Sequence, residues 1–303
     1  MSEPGAGGAG RPRVAVLGPG AIGLAFAAAV QEAGRADLVL CGRRALAGVT
    51  VTRDGQEPVA VRGPVLTDPG TAGGPADWVL LAVKAHQTAG AAGWLAALAG
   101  PGSVVVALQN GVEQVEQVTP LAGGAAVLPS TVWCAAEAVA PGRVKVHGAT
   151  ELSVPAGSAG AALAGLMAGQ AEVTLQADFR TEAWRKLCLN AVSGLMALAG
   201  RRAPMYRDPA VAAVAVALAR ECVAVGRAEG AVLPDDLAEA TVARLAAMPD
   251  HAGTSILYDR EAGRALEWEA RNGVISRLGA RHGIPTPVSD VIAALLAAAG
   301  GTG

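Results

Sequence analysis

The stretch VAVLGPGAIGLAF, residues 14–26, narrows the folds open to this chain more than any other. An apolar run leads into Gly18, Gly20 and Gly23, spaced G-x-G-x-x-G, and an Ala-rich helical run follows at once. Strand, glycine turn and helix form the opening unit of a dinucleotide-binding βαβ fold. Gly18 permits the tight turn, Gly20 lets a pyrophosphate approach the backbone, and Gly23 lets the helix pack on the strand. Ala21 and Ile22 open that helix, whose unpaired amides and positive dipole end suit a phosphate. With 40 glycines in the chain, the spacing alone is weak, and the flanking elements give it weight. An ordinary glycine-rich βα turn is the alternative.

The second strand, DLVLCG, ends in LCGRRAL. NAD enzymes usually place an acid there, about 20 residues beyond the last glycine, to hold the ribose 2′-hydroxyl. Here Arg43 and Arg44 take the position. A guanidinium pairs with a 2′-phosphate, so NADP(H) is expected over NAD(H). Two further apolar runs, ADWVLLAVK and GSVVVALQNG, read as strands buried on both faces. They end on Lys84 and Asn110, at the strand ends where a doubly wound sheet opens its ligand crevice. Asn110 also precedes a glycine, and Asn-Gly is a common turn pair.

The expected fold class is α/β: an N-terminal Rossmann-type doubly wound parallel sheet followed by an all-helical C-terminal domain. Residues 1–12 read as a flexible tail, 13–178 as the NADP-binding Rossmann domain, and 179–303 as the helical substrate and catalytic domain. Within the first, VTVTRDGQEPVAV reads as a hairpin turning at Asp54-Gly55, GRVKVHGATELSVPAG as a later hairpin, and AEVTLQAD as a last edge strand. Helices are expected at 181–199, 209–229, 235–247, 260–281 and 288–299. On the fourth, Arg260, Arg264, Arg271 and Arg277 read as an outer face making surface pairs with acids, and His282-Gly283 as its C-cap.

Hydrophobic residues make up 52% of the chain and charged residues 17%, enough for a sizeable core. A net charge of −2 without a basic tract argues against nucleic acid and anionic membrane as partners. The four cysteines stand far apart and the histidines are scattered, so no metal cluster is read, and a reducing, cytoplasmic location is expected. The start MSEPGAGGAGRPR has no apolar core of a signal peptide. The Ala-rich helical half is suited to self-association as a homodimer.

In WRKLCLNAVSGL the polar residues Lys186 and Asn190 share one helical face with Ser193 and Gly194. The small pair is expected to leave room for a ligand on a crevice wall. Read alone, each polar residue has a plain alternative: a solvated lysine, an asparagine or Ser255 capping a neighbouring segment, and Glu267 as a charge at a helix start.

Together GPGAIG, VKAHQ, LQNGVEQ, WRKLCLN and TSILYDREAGRALEWEARNG resemble the ketopantoate reductase (2-dehydropantoate 2-reductase) family over residues 13 to 299. The resemblance implies reduction of a keto acid by NADPH in pantothenate and coenzyme A synthesis. Lys186 matches the family's proton donor to the substrate carbonyl, and Asn190 an asparagine that holds substrate. Asn110 matches the asparagine where cofactor and substrate meet, and Ser255 a serine binding the substrate carboxylate. Glu267 matches a glutamate contacting the active-site lysine and cofactor region, while Lys84 and Arg43 match cofactor-binding positions. The carboxylate anchors implied are neutral. One departure stands out: the family usually has a second asparagine four residues after the first, where this chain has Gly194, with Ser193 or a water as its stand-in. The alternatives are a reductase of another keto acid on the same scaffold, or a non-catalytic NADP(H)-binding sensor.

Overall fold

Residues 10–300 are described by the computed structural model, so residues 1–9 of the expected tail lie outside the described residues. The first half of the chain runs β1 (Arg13–Leu17), α1 (Ala21–Ala33), β2 (Asp37–Cys41), β3 (Val49–Arg53), β4 (Val59–Val61), β5 (Val65–Leu66) and β6 (Trp78–Leu81). It continues with α2 (Ala92–Leu98), β7 (Val104–Ala107), α3 (Gln114–Val118), β8 (Ala126–Pro129), β9 (Thr131–Ala140), β10 (Arg143–Pro155), α4 (Ser158–Leu166) and β11 (Glu172–Gln176).

Six strands pair in parallel in the order β5-β2-β1-β6-β7-β8. The direction of winding reverses between β1 and β6, so a crevice opens beyond Leu17 and Leu81. β6 is buried at every residue and β7 at all but its first, because both faces of the sheet are covered, which is why they read as unbroken apolar runs.

A second sheet, β11-β10-β3-β4 with β9 on β10, extends the expected architecture. The VTVTRDGQEPVAV hairpin forms as expected, Val49 facing Val61, and β11 closes the far edge. The stretch GRVKVHGATELSVPAG departs from expectation. It is one continuous strand, β10, because Gly148 at φ +74° makes an irregularity in it rather than a turn. The chain reverses earlier, between β9 and β10, and β9 is a strand that the sequence reading did not anticipate. The apolar circumference of α1 now has a reason: residues from Gly23 to Val30 are buried between the two sheets, in one core with Val14, Leu80, Val51 and Val144.

From Phe179 the chain is helical: α5 (Phe179–Ala199), α6 (Pro209–Ala228), α7 (Leu237–Ala246), α8 (Ser255–Glu261), a π-helical turn (Glu269–Gly273), α9 (Val274–His282) and α10 (Pro287–Ala299). Asp178 starts α5 by accepting from the amide and hydroxyl of Thr181 at 3.1 and 2.6 Å. Asp208 caps α6 in the same way, with Pro209 in its first turn. Gly283, at φ +65°, ends α9 as expected. Helix α6 is long and apolar enough to cross a membrane, yet Ala215, Leu218, Ala219, Cys222 and Val225 are buried in the core of the helical region. The expected single helix at 260–281 is broken. Gly263 takes a left-handed turn at φ +62° after α8, the chain crosses as a loop to Glu267, and helicity resumes with the π turn.

Candidate active site

The glycine turn has the geometry its spacing implies. Gly18 has φ +100°, and a Cβ there would lie 2.7 Å from the Val83 amide nitrogen; at Gly23 it would lie 2.1 Å from the Gly18 carbonyl oxygen. At Gly20 a Cβ would meet nothing, so the space above the turn is left free for a ligand. Ala21 and Ile22 lie in the first turn of α1, whose first amides face that space. Arg43 and Arg44 are exposed in the bend after β2, and among the described residues neither makes a hydrogen bond or ion pair. Their guanidinium groups are free to take an anion. The turn and the two arginines fit a phosphorylated dinucleotide.

Past β6, Lys84 Nζ reaches Asp259 of α8 at 2.9 Å and Glu267 at 3.0 Å. Glu267 also accepts from the Ala85 amide at 3.1 Å and from Asn110 Nδ2 at 3.0 Å. Asn110 Oδ1 in turn accepts from Asn190 Nδ2 of α5 at 3.1 Å. One hydrogen-bonded line thus joins two strand ends to the helical region. The loop holding Asn110 is fixed from behind: Gln109 donates to the Val83 carbonyl at 3.0 Å and to Thr88 at 2.8 Å. Gly111, at φ +109°, lets the loop approach Ala270 of the π turn, so the Asn-Gly pair turns the chain while Asn110 joins the hydrogen-bonded line.

Burial opposes the charge on Glu267, but Lys84 and then Arg271 hold its carboxyl down to about 2. Lys84 is raised in turn: burial works against its charge, and the Glu267 and Asp259 carboxylates outweigh it. The lysine that Glu267 touches is therefore Lys84, not Lys186.

Lys186 stands apart from this line, its Nζ 3.5 Å from the centre of the Trp133 ring. Arg244 of α7 approaches the same ring at 4.9 Å, and Glu182 accepts from the Trp133 indole at 3.1 Å. Burial, then the Arg271 and Arg244 charges, lower the Lys186 pKa to about 7, with Glu182 acting against them. An ammonium at that value gives up its proton readily near neutral pH.

The expected room beside Ser193 and Gly194 is absent. Ser193 is buried, donating to the Asn190 carbonyl at 2.8 Å. A Cβ at Gly194 would lie 3.0 Å from both Asn272 Oδ1 and Leu296 Cδ1, so the position faces the packed interior and not the crevice. Ser193 is thus no stand-in for the family asparagine.

Arg271 is the largest correction. Expected on the outer face, it is 2% exposed. Its Nη2 donates to Ser255 Oγ at 2.8 Å and its Nη1 lies 3.5 Å from Ser193 Oγ. The π turn adds a residue to the helical circuit and rotates this side chain inward, which a 3.6-residue period cannot anticipate. Arg264 and Arg277 do pair as expected, with Asp259 at 2.9 Å and Glu113 at 2.5 Å. Ser255 sits exposed at the start of α8, and Thr254 holds the N-cap position instead. Sequence reasoning also passed over Trp133, Asp259 and Arg244, each recruited from a different element. The acid at Asp259, inside a quoted motif, was the one legible signal among them.

A glycine-lined dinucleotide cradle at a sheet's switch point, meeting a helical region that presents lysine and asparagine, is the architecture of an NAD(P)-dependent oxidoreductase. The chain belongs to the ketopantoate reductase PanE/ApbA family, whose model matches residues 14–159 and whose C-terminal model matches residues 178–300. It is 48% identical over 287 residues to a 2-dehydropantoate 2-reductase of Mycobacterium tuberculosis, covering 94% of this chain and 97% of that one. A namesake from Caulobacter vibrioides is 41% identical over 288 residues, covering 94% and 98%. The solved ketopantoate reductase of Ralstonia eutropha superposes with a TM-score of 0.85 at 32% identity, covering 95% of this chain and 98% of that one.

Proposed function

We propose that this protein reduces 2-dehydropantoate (ketopantoate) to pantoate with NADPH, a step toward pantothenate and coenzyme A. The observation that carries the reading is the line Glu267–Asn110–Asn190, which runs from the dinucleotide crevice to the helix bearing Lys186. NADPH, held by the glycine turn and the two arginines, would supply the hydride for the C2 carbonyl carbon. The protein's residues supply position and a proton. Asn110, hydrogen-bonded from both sides, would hold the nicotinamide ribose and the substrate in register. Asn190 steadies the substrate oxygen one helical turn from Lys186. Lys186, on a flexible four-carbon stem, swings from the Trp133 face to the C2 oxygen, stabilises the charge growing there and donates its proton. Glu267 and Lys84 keep the cofactor side of the crevice in shape.

Arg43 and Arg44, exposed and unpaired among the described residues, support NADPH as the cofactor. Four free cysteines support a reducing, cytoplasmic location. Exposed Val214 of α6 with Val291 and Leu295 of α10, two helices in contact, support a homodimer, which light scattering tests.

The deciding experiment follows NADPH oxidation with ketopantoate, in wild type and Lys186→Ala, with NADH in parallel. Turnover with NADPH that falls on the order of 10²-fold or more in the variant is expected. Tight NADPH binding without turnover in the wild type overturns the assignment, and a panel of other keto acids then follows.

A further inference from the structure

We propose that Arg271 is the charged anchor for the substrate's carboxylate, acting through the Ser255 hydroxyl, and so selects keto acids over neutral carbonyl compounds. The inference rests on the reductase reading above and names its specificity-determining residue. The geometry is specific. Arg271 Nη2 occupies a lone pair of Ser255 Oγ at 2.8 Å, and Ser255 makes no other side-chain hydrogen bond among the described residues. Its hydroxyl proton is therefore unclaimed, and Ser255 is exposed, so it stands as a donor backed by a positive charge. The guanidinium itself, 2% exposed, is too deep to act except through a neighbour.

The cost of that burial asks for a reason. Taking a guanidinium out of water is unfavourable unless it is well paired, and Arg271 makes no salt bridge within 4.0 Å among the described residues. Its Nε has no hydrogen-bond partner either. Glu267 and Asp259 act on it only at longer range. A surface arginine would pair directly, as Arg264 and Arg277 do on the flanks of the same segment. The π turn that brings Arg271 inward is an uncommon backbone form, concentrated at functional sites. A charge held under-compensated beneath an exposed donor, beside the helix bearing Lys186, is matched by an anion arriving from the crevice.

The test compares ketopantoate with its methyl ester, whose keto carbon is intrinsically the more electrophilic, so that preference for the acid reports recognition. Wild type is expected to favour the acid on the order of 10²-fold in kcat/KM. Assayed at about pH 6, where Lys186 is protonated with or without the Arg271 charge, Arg271→Met is expected to lower kcat/KM for the acid roughly 10- to 100-fold, mainly through KM, and to leave the ester nearly unchanged. Arg271→Lys restores part of the loss, and unchanged NADPH affinity shows an intact fold. Equal use of acid and ester by the wild type overturns the proposal without any variant, as does an equal loss for both in Arg271→Met. If the wild type does not turn over ketopantoate, the reductase reading fails separately. Calorimetry of the NADPH complex with 2-oxoisovalerate and its methyl ester then decides on Arg271: binding of the acid alone supports it, and binding of both or neither overturns it.

Discussion

Lys186 carries two cationic neighbours and a single carboxylate, an arrangement that with burial lowers its pKa and suits the acid role proposed for it. Trp133 and Glu182 face it from β9 and from its own helix, Arg244 from α7 and Arg271 from the π turn. With Lys186 as the proposed proton donor, and because kcat/KM reports the free enzyme, activity should be level below about pH 7 and fall above it. Arg244→Gln removes one depressing charge, so the falling limb should move to higher pH in that variant; a limb that stays in place disproves the role of Arg244. Gly194 supports a second expectation. Restoring the family asparagine by Gly194→Asn drives a side chain into Asn272 and Leu296, which should cost about 1–3 kcal/mol of stability, read as a lower Tm, without improving KM for ketopantoate.

At the scale of elements, Lys84 past the end of β6 is tied to Asp259 of α8 and to Glu267 in the loop after it. The carboxylates are nearly buried while the Lys84 side chain keeps 38% of its surface, so water screens the pair in part. Lys84→Met should therefore cost about 1–3 kcal/mol, less than a fully buried pair. The pH dependence has a definite sign. Glu267 is held down to about 2 from an ordinary value of 4.5, so its contribution is complete above 4.5 and is lost as pH falls toward 2. Without Lys84 the carboxyl takes up its proton earlier, and acid unfolding monitored by circular dichroism should begin at higher pH. Unchanged acid unfolding in Lys84→Met speaks against the coupling. The same elements show where pattern reading stops. The apolar runs of β6 and β7 and the glycine turn were legible because burial on both faces leaves a continuous apolar signature. The π turn was not, since one inserted residue changes which side chains face inward without altering composition.

For the molecule as a whole, the site is a seam between the dinucleotide-binding sheet and the helical region, and each contributes residues the other lacks. Cofactor choice belongs to this scale, because Arg43 and Arg44 lie in the exposed bend after β2, outside the hydrogen-bonded line through Asn110 and Glu267. Replacing both with alanine should raise KM for NADPH on the order of 10-fold or more and leave NADH kinetics nearly unchanged. Equal effects on both cofactors point to a structural role for that bend.

By itself, the sequence determined the dinucleotide fold, the helical second half, and Lys186, Asn190, Asn110, Ser255 and Glu267 as the residues to watch. The fold follows from local rules of spacing, periodicity and turn chemistry, and the site residues from short motifs through their resemblance to the ketopantoate reductase family. Only the tertiary structure decided that Glu267 meets Lys84, that Lys186 rests on Trp133, that Gly194 is packed shut and that Arg271 lies under Ser255. Each of those is a contact between segments far apart in the chain, set by how sheet and helices pack and by a single π turn, and no local pattern encodes such a meeting.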